Sequence, residues 1–323
     1  MKQLILFSQA PADIVYVLSL YEQKKEQYKI KIIVVNVMNN FKFLSSLKLK
    51  AEIEYIPVVG KRKIFKMLFF FVYLRIIYLK LFNKIERSEV YFFSDIADYV
   101  TAFFIERLSF KHKVFYIDIK KVKEPEIHSF KNNLSKFAVQ FILGIRINFF
   151  IFHTGGKSYQ YLFDHSRVIE KTLNPDDKVL NQYQYHVNSL VKNKKILFFE
   201  ANSVLQNYYV NYEKMFRLCI EHLSKKYTIY IKPHPRVGYS SFLNDCKVEI
   251  IESYIPSEFI FLKDFDIILG VETTAVATAK HHNKYSIIDI FEFNDKNVKI
   301  KFKEYMDEVS KGSLLYISDI KKI

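Results

Sequence analysis

A histidine held between two prolines and a pair of adjacent hydroxyls are the groups in this chain best suited to chemistry. The first lies in Ile229-Tyr230-Ile231-Lys232-Pro233-His234-Pro235-Arg236, the second in Phe265-Asp266-Ile267-Ile268-Leu269-Gly270-Val271-Glu272-Thr273-Thr274. Each segment is an apolar run with the composition of a buried parallel strand, and each ends abruptly in residues that can hydrogen-bond an anion. Pro233 and Pro235 fix the backbone on either side of His234 and stop a helix from starting there, so the imidazole is presented by a stiff frame with Lys232 and Arg236 beside it. Thr273 and Thr274 precede Ala275-Val276-Ala277-Thr278-Ala279-Lys280, which reads as a helix; at an N-cap they would sit where backbone N–H groups favour a phosphate. A threonine before a helix is commonly only a cap, and a lone histidine commonly only a packed side chain. Two such strand ends in one half of the chain form a candidate ligand site.

Strands and helices alternate around these segments. Strands are expected at Gln3–Ser8, Lys29–Val35, Glu52–Val59, Val90–Phe93, Lys113–Ile119 and Asn148–Phe152, with helices at Ala12–Lys25, Phe41–Leu49, Ala97–Leu108 and Asn132–Leu143 between them. The pattern restarts with strands at Lys195–Phe199, Tyr227–Ile231, Val248–Ile251, Phe265–Val271, Ser286–Phe291 and Leu314–Ser318, and with a long helix at Tyr209–Lys225. Pro256 and Glu258 open a short helix, and a helical or irregular run surrounds Phe302–Val309. Strands too apolar to have a wet face imply parallel sheets covered by helices on both sides. The reading is α/β: two Rossmann-like domains facing a cleft, at residues 1–155 and 194–323, joined by a weakly patterned linker at 156–193. Open sheets of this kind bind ligands at the carboxyl ends of their strands, which makes Ser8, Gln9, Ser94, Asp95 and Asp118 the candidates in the first half. Asp118 lies between two isoleucines and must be paired, capping or functional, because burying a bare carboxylate is costly.

With 323 residues, half of them hydrophobic, the chain is long enough for about two domains with sizeable cores. Its two cysteines have no metal-ligand spacing and imply no disulfide framework, which suits a reducing cytoplasm. The first residues read as a strand rather than a signal peptide. A net charge of +15 suits an acidic partner such as anionic lipid, nucleic acid or a phosphorylated substrate, although a chain rich in Lys, Ile, Asn, Phe and Tyr can also reflect an AT-rich genome. Lys61 to about Ile85 forms one long helical stretch that Arg75 and Lys80 interrupt too early for a membrane span. It reads first as a packing helix, and second as an interfacial helix with Lys61, Arg62, Lys63 and Lys66 at anionic headgroups. His153-Thr154-Gly155-Gly156-Lys157-Ser158 ends like a phosphate-binding P-loop but has Ile151 where that motif needs its first glycine, so it is not one.

The ordered set Lys232-Pro233-His234-Pro235-Arg236, Pro256-Ser257-Glu258 and Glu272-Thr273-Thr274 resembles the C-terminal domain of bacterial GT-B sialyltransferases. It is most similar to the lipooligosaccharide sialyltransferases of glycosyltransferase family 52 and to the capsular polysialyltransferases, most clearly from about Lys195 to Ile290. The resemblance implies a GT-B fold and an inverting, metal-independent transfer of sialic acid, or another nonulosonic acid, from a CMP-sugar to a surface glycan. No cofactor is implied beyond the donor itself. His234 would meet the donor phosphate and assist its departure, with Lys232 and Arg236 adding positive charge and Pro235 framing the turn. Thr273 and Thr274 correspond to the hydroxyls on that phosphate, and Glu258 to the acid that binds the ribose. Ser8 and Gln9 complete the expected donor-binding set. The general base of the family is one of two acids followed by glycine; Tyr116-Ile117-Asp118-Ile119-Lys120-Lys121 keeps one acid and no glycine, so Asp118 is the candidate and Asp95 the reserve. The implied location is cytoplasmic or peripheral at the inner face of the membrane. The alternatives are a CDP-polyol or Kdo-type transferase and, from another class, a basic lipid- or nucleic-acid-binding protein. Nucleic-acid binding is disfavoured because most aromatics fall inside apolar runs rather than among the cations.

Overall fold

A computed structural model describes residues 2–57, 64–83, 85–93, 99–117, 143–145, 148–149, 162–163, 167–175, 177–187, 193–201, 207–235 and 238–323. The chain divides into two compact units, Met1–Val179 and Leu180–Ile323.

The first unit is built on a six-stranded parallel sheet. Its strands are β1 (Lys2–Ser8), β2 (Tyr28–Val35), β3 (Ala51–Ile56), β4 (Ser88–Phe92), β5 (Lys113–Ile117) and β8 (Val168–Lys171), in the order β3-β2-β1-β4-β5-β8. The helices described here are α1 (Asp13–Lys24), α2 (Met38–Ser46), α3 (Ile64–Phe82) and α4 (Tyr99–Leu108). Ile5, Phe7, Ile33, Val90 and Phe92 on one face of the sheet pack with Phe70 and Leu74 of α3 and Phe103 and Phe104 of α4 in one core. The strand expected at Asn148–Phe152 is a two-residue strand, β6 (Asn148–Phe149), paired antiparallel with β7 (Leu162–Phe163) outside the large sheet.

The sixth strand is β8, which lies in the stretch read from sequence as a linker. Of its four residues only Val168 is buried, so it carries almost none of the apolar signal by which the other strands are recognised. It is held by charge instead. The Arg167 guanidinium donates from Nη2 to the carboxylate of Glu106 on α4 at 2.8 Å, to the Glu106 carbonyl at 2.9 Å and to Ser109 Oγ at 2.6 Å, and it lies over the Phe110 ring. The unit boundary falls between Val179 and Leu180, within α5 (Asp177–Gln182), and Tyr185 already pairs with Ile260 of the second unit.

The second unit repeats the topology. Its strands β9 (Lys195–Phe199), β10 (Thr228–Lys232), β11 (Glu249–Ile250), β12 (Ile267–Gly270), β13 (Lys284–Ser286) and β14 (Leu315–Tyr316) are all parallel, in the order β11-β10-β9-β12-β13-β14. Period-two alternation fills two cores. Ile196, Phe198, Ile229 and Ile231 pack with Phe216, Cys219 and Leu223 of α6 (Tyr212–Leu223) on one face. Leu197, Phe199, Tyr230 and Ile268 pack with Val276 of α7 (Thr274–Thr278) and Met306 of α8 (Lys296–Ser310) on the other. Burial on both faces explains the continuous apolar runs. The run expected to be a strand over Ser286–Phe291 stops at Ser286 and continues as a turn of 3₁₀ helix, Ile288–Ile290. The Ser286 hydroxyl ends the strand by donating to the Val271 carbonyl and accepting from the Ile288 amide.

Candidate functional site

Strand order decides which segments meet. In the second unit β9 lies between β10 and β12, so the chain leaves the sheet at Glu200, Pro233 and Val271 on one edge. The order reverses at β9 and β12, the position at which open α/β sheets place ligands. Neighbouring strands are about 4.8 Å apart, which sets the ends of β10 and β12 about 10 Å apart with the end of β9 between them. The His234 turn and the threonine pair therefore belong to one strand-end edge, as the sequence pattern implied.

Lys232, the last residue of β10, is 3 % exposed. Its ammonium donates to the carbonyls of Pro233 at 2.8 Å and Ser253 at 3.3 Å, and burial draws its pKa down to about 8 against the opposing pull of Glu258. The ammonium is an internal tie between two loops. His234 is half-buried, and its carbonyl accepts from the Gly238 amide at 3.0 Å. Gly238 adopts φ +74°, a left-handed conformation open to glycine, and this lets the chain turn back within five residues. Glu200 fastens the turn at both ends. Its amide donates to the Lys232 carbonyl at 3.1 Å and its Oε1 accepts from the Ser240 amide at 2.9 Å. Burial pushes the Glu200 carboxyl up, with the Ser240 hydrogen bond opposing, and its Oε2 has no hydrogen-bond partner among the described residues.

At the end of β12, Thr273 is the N-cap of α7 and its hydroxyl accepts from the Ala275 amide at 3.2 Å, whereas Thr274 is exposed. The helix is only five residues long, so its dipole is small. A Cβ on Gly270 would come within 2.7 Å of Thr273 Cγ2 and 2.9 Å of Val276 Cγ1; glycine is what lets the cap fold onto the strand. Glu272, between the strand and the threonines, is buried, and the Tyr209 hydroxyl donates a short hydrogen bond to its Oε2. Burial pushes this carboxyl up to about 7, and its Oε1 has no hydrogen-bond partner among the described residues. The charges of Glu200 and Glu272 both act on the buried Tyr212 hydroxyl, raising its pKa together with burial.

Glu258 is exposed on a 3₁₀ turn, with its carboxylate accepting from Ser257 Oγ at 3.0 Å. In the first unit Ser8 is fully buried at the end of β1, and its hydroxyl accepts from Asn40 Nδ2 at 2.8 Å. The Gln9 amide donates to Asp13 Oδ2 at 2.6 Å, the Ala10 amide to the same oxygen at 2.9 Å, and Gln9 Nε2 is buried without a partner among the described residues. Ser8 thus serves the loop around it. Asp118, Asp95, Ser94, Arg236, Lys61, Arg62 and Lys63 lie outside the described residues, as does the side chain of Lys66. The roles of Glu200, Glu272 and Tyr209 were not read from sequence; the available signal was a charged residue directly after each apolar strand, Phe199-Glu200 and Val271-Glu272. A shallow depression lined by Val210, Tyr212, Glu213, Arg217, Leu218 and others runs along α6, and none of the predicted site residues lines it.

The edge thus gathers an imidazole, two hydroxyls and two buried carboxyls, one poised near neutrality. Such a set can hydrogen-bond phosphate oxygens and ribose hydroxyls, and can exchange protons near pH 7. Two units with the strand order 3-2-1-4-5-6 define the class of fold, GT-B: two Rossmann-like α/β domains in one chain. The structure of UDP-GlcNAc 2-epimerase from Methanocaldococcus jannaschii is similar across 100% of this chain and 90% of that one, at 15% identity and a TM-score of 0.50. Looser matches are UDP-GlcNAc 2-epimerase from Neisseria meningitidis bound to UDP-GlcNAc (12% identity, 100% and 98% covered, TM-score 0.45) and Acinetobacter baumannii MurG (11%, 98% and 85%, 0.39). At such identities the likeness shows the fold alone. No family model and no curated protein matches the chain in sequence.

Proposed function

We propose that the chain is an enzyme acting on a nucleotide-activated sugar, and specifically a glycosyltransferase that moves sialic acid or another nonulosonic acid from its CMP donor to a bacterial surface glycan. The observation that carries this reading is the placement of the His234 turn and the Thr273–Thr274 pair on the same strand-end edge, flanking β9 at the order reversal. In this reading the acceptor hydroxyl oxygen attacks the anomeric carbon as the bond to the phosphate oxygen of CMP breaks. CMP leaves with the electron pair, and the acceptor proton passes to a carboxylate of the first unit, Asp118 or in its place Asp95. His234 and the threonine hydroxyls hydrogen-bond the departing phosphate, where donors fixed before the reaction lower the barrier. The Lys232 ammonium lends its field from inside the fold and holds the turn, and Glu200 keeps that turn in register with β9.

The test is thermal unfolding with CMP, CDP, UDP, GDP and ADP, on the wild type and on His234→Ala. A ligand at about 100 times its Kd stabilises the folded state by about 2.7 kcal/mol. Selective stabilisation by CMP that His234→Ala abolishes is the expected result. A preference for CDP moves the assignment to polyol-phosphate transfer, a preference for UDP to UDP-sugar chemistry, and no response to any nucleotide overturns the reading.

A further inference from the structure

We infer that α3 seats the protein on an anionic lipid bilayer, lying in the headgroup region with one face turned into the acyl boundary. The helix has two apolar sides. Phe70, Leu74, Leu81 and Phe82 are buried in the core of the first unit. Phe69, Val72, Tyr73, Ile76 and Leu79 are exposed at 78, 54, 38, 59 and 55 %. At 3.6 residues per turn these five fall within about a third of the helix circumference and run for about 15 Å, which is a stripe rather than scattered contacts. Exposed single hydrophobes are ordinary, but a continuous stripe marks a surface meant to be covered.

Charge selects the cover. From Tyr55 to Ile85 the sequence contains no aspartate or glutamate and seven cations: Lys61, Arg62, Lys63, Lys66, Arg75, Lys80 and Lys84. In the sequence four of them come before the stripe and two follow it, so positive charge flanks it along the chain on both sides. Arg75 and Lys80 are exposed on the helix, and the Arg75 guanidinium lies over the Phe71 ring. An apolar strip that enters the lipid boundary while lysines reach the phosphates at its ends is the arrangement of an interfacial helix. A second copy of the chain would bring the same cations face to face. None of the described helices is long and apolar enough to cross a membrane, so the contact is one of lying on the surface.

The test uses the full chain in a flotation assay with vesicles of phosphatidylcholine alone and of phosphatidylcholine mixed with phosphatidylglycerol. The wild type floats with the mixed vesicles, less with the neutral ones, and is released by salt. V72S/I76S removes two side chains exposed to solvent, leaves the unfolding midpoint in place, and weakens the association about tenfold or more. K80E with K84E abolishes the preference for the anionic vesicles. Absence of flotation, equal flotation with both vesicles, or flotation unchanged by V72S/I76S overturns the inference. A wild-type dimer that V72S/I76S converts to a monomer, without vesicle binding, assigns the stripe to self-association instead. The nucleotide panel reads a different part of the molecule, so the two proposals fail separately.

Discussion

At the scale of the residue, Glu272 is the group whose behaviour is most open to measurement. A carboxyl held at about 7 in the fold and at 4.5 when exposed keeps its proton in the folded state over a range where the unfolded chain has lost it. The folded state then binds more protons, so its stability falls as pH rises from about 4.5 to about 7 and is level above that. The loss is roughly 3 kcal/mol at 1.36 kcal/mol for each pK unit. E272Q, which has no proton to lose, is expected to match the wild type near pH 5 to within about 1 kcal/mol and to exceed it by roughly 3 kcal/mol near pH 8, read by chemical denaturation at both. An equal change at the two pH values would mean that the Tyr209 hydrogen bond, and not burial, governs the group. Glu200 and Glu272 illustrate what a sequence conceals at this scale. Their positions after apolar runs were visible, but the amide of Ser240 and the hydroxyl of Tyr209 arrive from 40 and 63 positions away in the chain. His234 and Thr273 were legible because proline and N-cap chemistry act on immediate neighbours. The partners of Lys232 were hidden for the complementary reason: its two carbonyl acceptors, on Pro233 and Ser253, are supplied by loop geometry.

At the scale of the element, strands buried on both faces could be placed from sequence to within a few residues, because burial leaves an unbroken apolar run. Of the four edge strands, β3, β11 and β14 overlap runs read as strands, and β8 does not. β8 exposes three of its four residues and is docked by Arg167, so its signal is one arginine ahead of Val168-Ile169-Glu170-Lys171. Glu106 is nearly fully buried and Arg167 is its ion-pair partner at 2.8 Å. R167M is therefore expected to cost roughly 3 kcal/mol by taking the guanidinium away from a buried carboxylate, measured by urea denaturation. R167M/E106Q should recover part of that loss, because the second change removes the buried charge that Arg167 met. Additive losses would assign the cost to packing over Phe110. The long helix α3 divides in the same manner. Its mean apolarity pointed to a packing element, and only the folded sheet shows which half of its circumference the core uses.

At the scale of the whole molecule, the chain is one topology written twice, with the strand order of the first sheet recurring in the second. Alternation and turn chemistry carried that much in the sequence. The exact boundary was hidden, since residues 167–187 divide their contacts between the two sheets by a few side chains each. The second unit owns two complete cores, one on each face of its sheet. A fragment of residues 180–323 is expected to unfold in a single cooperative thermal transition, followed by circular dichroism, and a broad non-cooperative loss would show that it borrows stability from the first unit. The margins of both sheets bear on solubility. β11 and β14 are two residues long, β8 presents Glu170 and Lys171, and β3 alternates Glu52 and Glu54 with its apolar residues. Among the described residues each outer margin of the two six-stranded sheets is thus too short or too charged to template a strand from another molecule. A chain with half its residues hydrophobic is for that reason expected to be concentrated without these sheets joining edge to edge into fibres.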